Sequence, residues 1–392
     1  MRELAILLTL FLLVAPVLAE GAEVNVHKGK AGVYARLGLN VQKDPGARKV
    51  MLANPNFDCA MVAAQWGGIE PQEGKFDFSQ LKQDVADWSA NGKHVVIHVQ
   101  LYGQALDDRL TPAWLWSKKD VRTISFSGGG MARGETVKIP AVWDDEFEKY
   151  VKPLVTKLAS QFDGDPRVWY IQPGFGHLGN LPAQPSRFGG PALKSAGWTD
   201  QKWQAYCLRT AAFYRSCFKK TPLFVASPPL FIHDRQNNDY SRSALSLCKQ
   251  LAVQGIALQL YGLHQDKAKM KDLYDSTIPL MAPALNGQTR FGFGDDWPIW
   301  VPESRRTVAP TIGFDDNFFK ACLANCFSTA DGIQLPTTMV YLNPPEIFAT
   351  SPLSPQGLRR KDAQCYYRKN LAAMLEATRQ QLLKNDAECF GK

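Results

Sequence analysis

Beyond Ala19 the sequence has no apolar run of the roughly 20 residues that a bilayer crossing needs, so no membrane span is expected there. It also lacks a basic run. The formal charge of +8 comes from Lys and Arg scattered along the chain, which argues against a nucleic-acid stripe. Its eight cysteines show no CxxC spacing, which argues against a zinc-cysteine site. Internal repeats, low-complexity tracts, a P-loop and a Ser-His-Asp arrangement are all missing. One absence is local: no Asp or Glu occurs between Asp165 and Asp200.

Met1 to Ala19 has the form of a secretory signal peptide. Arg2 supplies a thin positive region, Leu4 to Val17 an apolar core, and Val17-Leu18-Ala19 a small-residue cleavage site. A secreted or periplasmic protein is therefore expected. In such a compartment disulfides are permitted. Cys207 and Cys217 lie about 15 Å apart along one predicted helix, too far to bridge. Cys217 with Cys248 is a geometric option, and Cys389 could staple the tail. The positive field would favour acidic polysaccharide or an anionic cell surface, or would serve solubility alone.

From residue 20 to 392 strand-like runs alternate with amphipathic helices, the rhythm of a parallel α/β fold. Strands are expected over 34–41, 58–65, 94–102, 167–173, 223–227, 255–261, 290–294 and 333–342. Helices are expected over 145–162, 199–218, 317–328 and 361–383, with another carrying Leu81, Val85 and Trp88. Eight strand–helix units without a linker predict a single (β/α)8 TIM barrel, with long rim loops and a closing C-terminal helix. Ala105 to Trp143 is a long excursion after the third strand. Trp114, Trp116 and Trp143 predict that it is ordered and packed over the rim.

In a barrel the chemistry sits at the C-terminal strand ends. The second strand ends on Trp66, then Glu70-Pro71-Gln-Glu-Gly74. Trp66 could stack on a sugar face or merely pack the rim, and Glu70 reads as a structural carboxylate. Along the third strand Val95, Ile97, Val99 and Leu101 are all apolar and must face the helices. His98, Gln100 and Tyr102 then point into the barrel, where a polar group is costly unless bonded or reserved for a ligand. The sixth strand repeats this with Gln259 and Tyr261, with His264 just beyond. The seventh leads into Asp295-Asp296-Trp297, with Glu303 a few residues on, and the eighth into Asn343 and Glu346. The fourth runs Gly174-Phe-Gly176-His177-Leu-Gly179-Asn180. That glycine spacing matches a dinucleotide fingerprint, but Pro182 and Pro185 follow where a helix should open, so no nucleotide cofactor is expected. His98, His177 and His264 come from separate strands with no ligand spacing, so no metal is expected either.

The Trp66–Phe78 stretch, Thr111-Pro112-Ala-Trp114-Leu and Pro140-x-x-Trp143-Asp144 together resemble clan GH-A glycoside hydrolases, particularly the β-galactosidase-like branch. The likeness spans roughly Asp58 to Asn180. It implies an enzyme that hydrolyses O-glycosyl bonds of an oligo- or polysaccharide. Where that clan carries its proton-donating glutamate after the fourth strand, this sequence has His177. Three accounts follow: the imidazolium donates the proton, a loop carboxylate has taken over, or the barrel binds glycan without cutting it. For an active enzyme the resemblance implies Glu303 or Asp295 as the carboxylate and His177 as donor or substrate contact. Trp66, His98, Gln100, Tyr102, Asn180, Gln259, Tyr261, Asp296 and Trp297 would line the sugar subsites.

Overall fold

The computed structural model describes residues 30–35, 45–103, 110–127, 134–176, 190–226, 240–261, 290–294, 316–328, 334–342 and 372–390. Eight parallel strands form one sheet. They are β1 (Gly32–Ala35), β2 (Cys59–Gln65), β3 (His94–Gln100), β6 (Val168–Gln172), β7 (Phe224–Ala226), β8 (Ala257–Tyr261), β9 (Phe291–Gly294) and β10 (Thr337–Leu342). Their spatial order is β6-β3-β2-β1-β10-β9-β8-β7. A parallel bridge from Ile171 to Leu223 joins the two edges, so the sheet closes. Every expected strand has a counterpart, though the first is Gly32–Ala35 where 34–41 was expected, and 36–41 lie outside the described residues. Closure removes both edges, and the buried outer face explains why the strands are so apolar.

The same parity that places His98 inward governs the other strands. Val33, Val62, Ile97, Ile171, Val225, Leu258, Phe293 and Val340 face outward into the main core beneath the helices. A second, inner cluster joins Tyr34, Cys59, Met61, Val96, Trp169, Tyr170, Phe224, Ala226, Ala257, Met339 and Tyr341. This aromatic plug fills the lower and middle barrel. Tyr34 stacks on Tyr341 at 4.4 Å, and Tyr341 on Phe224 at 4.9 Å. Gly292 lies against Met339 of the adjacent strand β10. A Cβ on Gly292 would sit 2.6 Å from the Met339 carbonyl oxygen.

The helix Ser79–Ala90 buries Leu81, Val85 and Trp88, as their spacing predicts. The helix Asp145–Phe162 starts on three acids that complement its positive N-terminus. The helix Asp200–Cys217 is capped by Thr199, whose hydroxyl accepts from the Lys202 amide. The last helix is Ala372–Phe390, longer at its end than expected. It is held by ion pairs to the barrel along its length: Arg379 donates to Asp58 and Asp386 accepts from Arg290. Asn385 also donates to the carbonyls of Leu335 and Thr337.

Among the described residues seven cysteines are free thiols. The Cys217–Cys248 pairing that helix order allowed is not formed: both thiols are free, Cys248 buried and Cys217 half-buried. Cys389 likewise bridges nothing. No helix of the described residues is long and apolar enough to cross a membrane. Met1–Ala19 lies outside them.

Candidate functional site

The C-terminal strand ends are where a barrel of this kind presents its chemistry. On β2 the inward positions Ala63 and Gln65 stay half-buried while their outward neighbours Val62 and Ala64 are buried. Side chains here thus retain access from the mouth. Gln65 donates its amide to Gln100 Oε1 on β3 at 3.5 Å. His98 lies one pleat deeper, its backbone in register with Ala63 on one side and Gln172 of β6 on the other. Gln172 is fully buried, and His98 and Gln100 nearly so.

Across the barrel Gln259 sits on β8, in register with Ala226 and Gly292. Its amide lies over the next inward glycine: a Cβ on Gly294 would come 1.7 Å from Gln259 Nε2. Only glycine at 294 leaves that space. Gln259 is 2% exposed, and its Nε2 has no hydrogen-bond partner among the described residues. Tyr261 follows on the same strand with the same parity.

The eight barrel strands contain no Asp, Glu, Lys or Arg among their residues. The described interior is therefore a neutral ring of amides and one imidazole over an aromatic floor. Its groups offer both donors and acceptors to a ligand rich in hydroxyls. No cluster able to hold a metal occurs among the described residues.

Two expected sugar contacts are placed elsewhere. Trp66 is not on the rim: β2 ends at Gln65 and the chain turns into a short helix, Trp66–Ile69, which swings the indole into the outer core. There it is wholly buried, edge-on to Trp114 at 5.7 Å and to Phe147 at 5.8 Å. Its Nε1 donates to Glu70 Oε2 at 2.7 Å, leaving no face for a sugar. Glu70 is the structural carboxylate expected, since its other oxygen accepts from the Gly74 amide at 2.7 Å. Burial raises the Glu70 pKa, and these two hydrogen bonds oppose the rise.

Tyr102 is the second correction. The strand stops at Gln100, so the alternation does not carry two residues further. Tyr102 packs in the outer core near Cys207 and Tyr206 of the helix Asp200–Cys217. Burial, then the neighbouring Cys207, holds its phenol pKa well above the ordinary range.

The excursion after β3 is ordered where described. It forms an antiparallel hairpin, β4 (Thr123–Ser127) with β5 (Thr136–Pro140). Trp114 Nε1 donates to the Glu70 carbonyl at 2.9 Å, clamping this excursion to the β2 loop. Trp143 is buried and Trp116 lies under Lys138 at 4.6 Å.

His177, Asn180, Asp295, Asp296, Trp297 and Glu303 lie outside the described residues, as do His264, Asn343 and Glu346. Gln65 and Gln172 went unnominated in the sequence. Each shares the inward parity of its strand, and that signal was there to be read.

Residues 50–175 match the family model described as Beta-galactosidase, a span running from before β2 to just past β6. Among solved structures, the catalytic domain of β-amylase from Paenibacillus polymyxa matches with a TM-score of 0.56. It is 14% identical, and the match covers 88% of this chain and 99% of that one. The chain is a (β/α)8 barrel whose residues 50–175 are similar to a β-galactosidase family. Xylanase 10B from Thermotoga petrophila RKU-1, in complex with xylobiose, also matches this barrel. Its TM-score is 0.51 at 12% identity, covering 89% of this chain and 95% of that one. At such identities the fold is what these structures share with it. No curated protein sequence matches the chain.

Proposed function

We propose that the protein is an exported glycoside hydrolase acting on an oligo- or polysaccharide. One observation carries the reading: the segment that matches the β-galactosidase family model builds the part of the barrel mouth holding Gln65, His98, Gln100 and Gln172. Buried polar side chains are costly in a strand interior and are kept there when they serve a ligand. In sequence His177 comes five residues after Gln172, the last residue of β6, and would donate a proton or hold the substrate. Asp295 follows Gly294 of β9 directly, and Asp295 or Glu303 would supply the carboxylate. Asn180, Asp296 and Trp297 would complete the subsites with Gln259 and Tyr261. Export rests on the signal-like Met1–Ala19 and would put the protein in the secreted or periplasmic space.

A second reading is a barrel that binds carbohydrate without cleaving it. The sequence favours it at one point, the absence of any Asp or Glu from 166 to 199. The charge of +8 would draw acidic glycans toward the surface.

The deciding experiment incubates purified protein with neutral and acidic oligosaccharides and measures reducing ends. Release that is abolished by Glu303→Gln with Asp295→Asn, and lowered by His177→Ala, supports the hydrolase. Binding without release, insensitive to these substitutions, supports the binding module. Neither release nor binding would overturn both.

A further inference from the structure

The Gln259 amide is a deeply buried polar group of the mouth. It is nearly completely buried, and its Nε2 donates to nothing among the described residues. A buried donor left unsatisfied is destabilising, and folded proteins keep few of them. The space it occupies exists because residue 294 is glycine; any side chain there would collide with the amide. Two residues on neighbouring strands thus jointly hold one donor in the barrel interior, beneath the mouth. The eight strands that form the wall around it contribute no Lys or Arg.

We propose that Gln259, seated in the space left by Gly294, is a specificity-determining donor that reads a hydroxyl of an uncharged sugar. This rests on the carbohydrate reading above and names its substrate class. A uronate carboxylate brought to the same place would lose its water shell without gaining a cationic partner from the strands, so it would be rejected. A neutral hydroxyl needs only the single bond that Nε2 can give. The scattered positive charge acts at long range on approach, whereas the interior sets the choice.

The test measures binding of neutral xylo-, manno-, gluco- and galacto-oligosaccharides, and of an oligogalacturonate, by calorimetry. The protein should bind at least one neutral series at least about tenfold more tightly than the uronate, a gap of about 1.4 kcal/mol. Gln259→Leu should weaken that binding about tenfold or more, while thermal stability holds or rises because an unsatisfied donor has been removed. Gly294→Ala should reproduce the loss by displacing the amide, and Gln259→Asn should give an intermediate affinity.

Tighter binding of the uronate, or unchanged neutral binding in Gln259→Leu, overturns the proposal while leaving a carbohydrate-binding barrel intact. A drop in stability of Gln259→Leu with unchanged affinity would assign the residue to packing instead. Failure of the wild-type protein to bind any of these glycans would remove the carbohydrate reading and this inference with it.

Discussion

The floor and the mouth of this barrel are built from the same eight strands by opposite rules. At the floor every inward side chain has a partner surface. Tyr34, Tyr341 and Phe224 stack in sequence, Trp169 lies flat on His94 at 4.5 Å, and the C-terminal helix clamps the outside through Arg379–Asp58 and Arg290–Asp386. Toward the mouth the same positions turn to Gln65, His98, Gln100, Gln172 and Gln259, and the glycines of β9 leave room beside them. Apolar burial scales with area and tolerates no waste, so the floor is where stability is gained. Buried amides give little net stability, so their concentration at one end marks the end that was shaped for something else.

The contrast is sharpest where the loss should be largest. Tyr341→Ala removes a ring at the centre of the plug, fully buried between Tyr34 and Phe224. Truncating a buried aromatic costs about 3–5 kcal/mol, read as a lower urea midpoint with the slope unchanged. Tyr341→Phe should be neutral or mildly stabilising, because the hydroxyl it removes is buried and without a partner. Were the alanine variant to lose less than about 1 kcal/mol, the floor would not be the stabilising half.

A smaller effect concerns Glu70, which ties the β2 loop to the helical turn and to the Trp114 segment. Burial raises its folded-state pKa above 4.5, its ordinary value. The fold therefore binds the proton more tightly than the unfolded chain does. Its contribution to stability is greatest at or below the unfolded pKa and declines as pH rises through the folded value. Carboxylates held low by partners, such as Asp165 beside Arg167 and Asp87 beside Arg48, act in the opposite direction. A comparison with Glu70→Gln cancels those. Between about pH 4.5 and pH 7, the wild type should lose melting temperature relative to the variant. A constant difference across that range would mean that Glu70 ionises freely.

These two ends were not equally legible in the sequence. Strand positions followed from apolar runs, and the parity of β3 was readable because Val95, Ile97, Val99 and Leu101 leave only one orientation. The same rule misled at Tyr102, since alternation holds only while the strand lasts and β3 stops at Gln100. Trp66 misled for a related reason. An aromatic at a strand end suggests a rim, but Glu70 four residues on at helical spacing was the sign that the chain had already turned. Gln259 was legible as an inward polar residue. Its dependence on Gly294 was not, because nothing in a sequence says which side chain fills the space another residue vacates. The Cys217–Cys248 bridge failed for the same lack: helix ends that are close in sequence order need not direct their Cβ atoms at each other.

The smallest expected effect separates the two ends most cleanly. Gln65 and Gln100 bond only to the extent that a 3.5 Å contact allows. Replacing either alone would leave its partner facing the barrel unsatisfied. Replacing both, Gln65→Leu with Gln100→Leu, removes donor and acceptor together and fills the volume with apolar atoms. Such paired replacement is close to neutral, within about 0.5 kcal/mol either way. If the mouth exists for a glycan, affinity should fall severalfold in a protein whose urea midpoint has barely moved. A double variant that unfolds more easily yet binds as before would show that these amides belong to the scaffold, and the distinction between floor and mouth would dissolve.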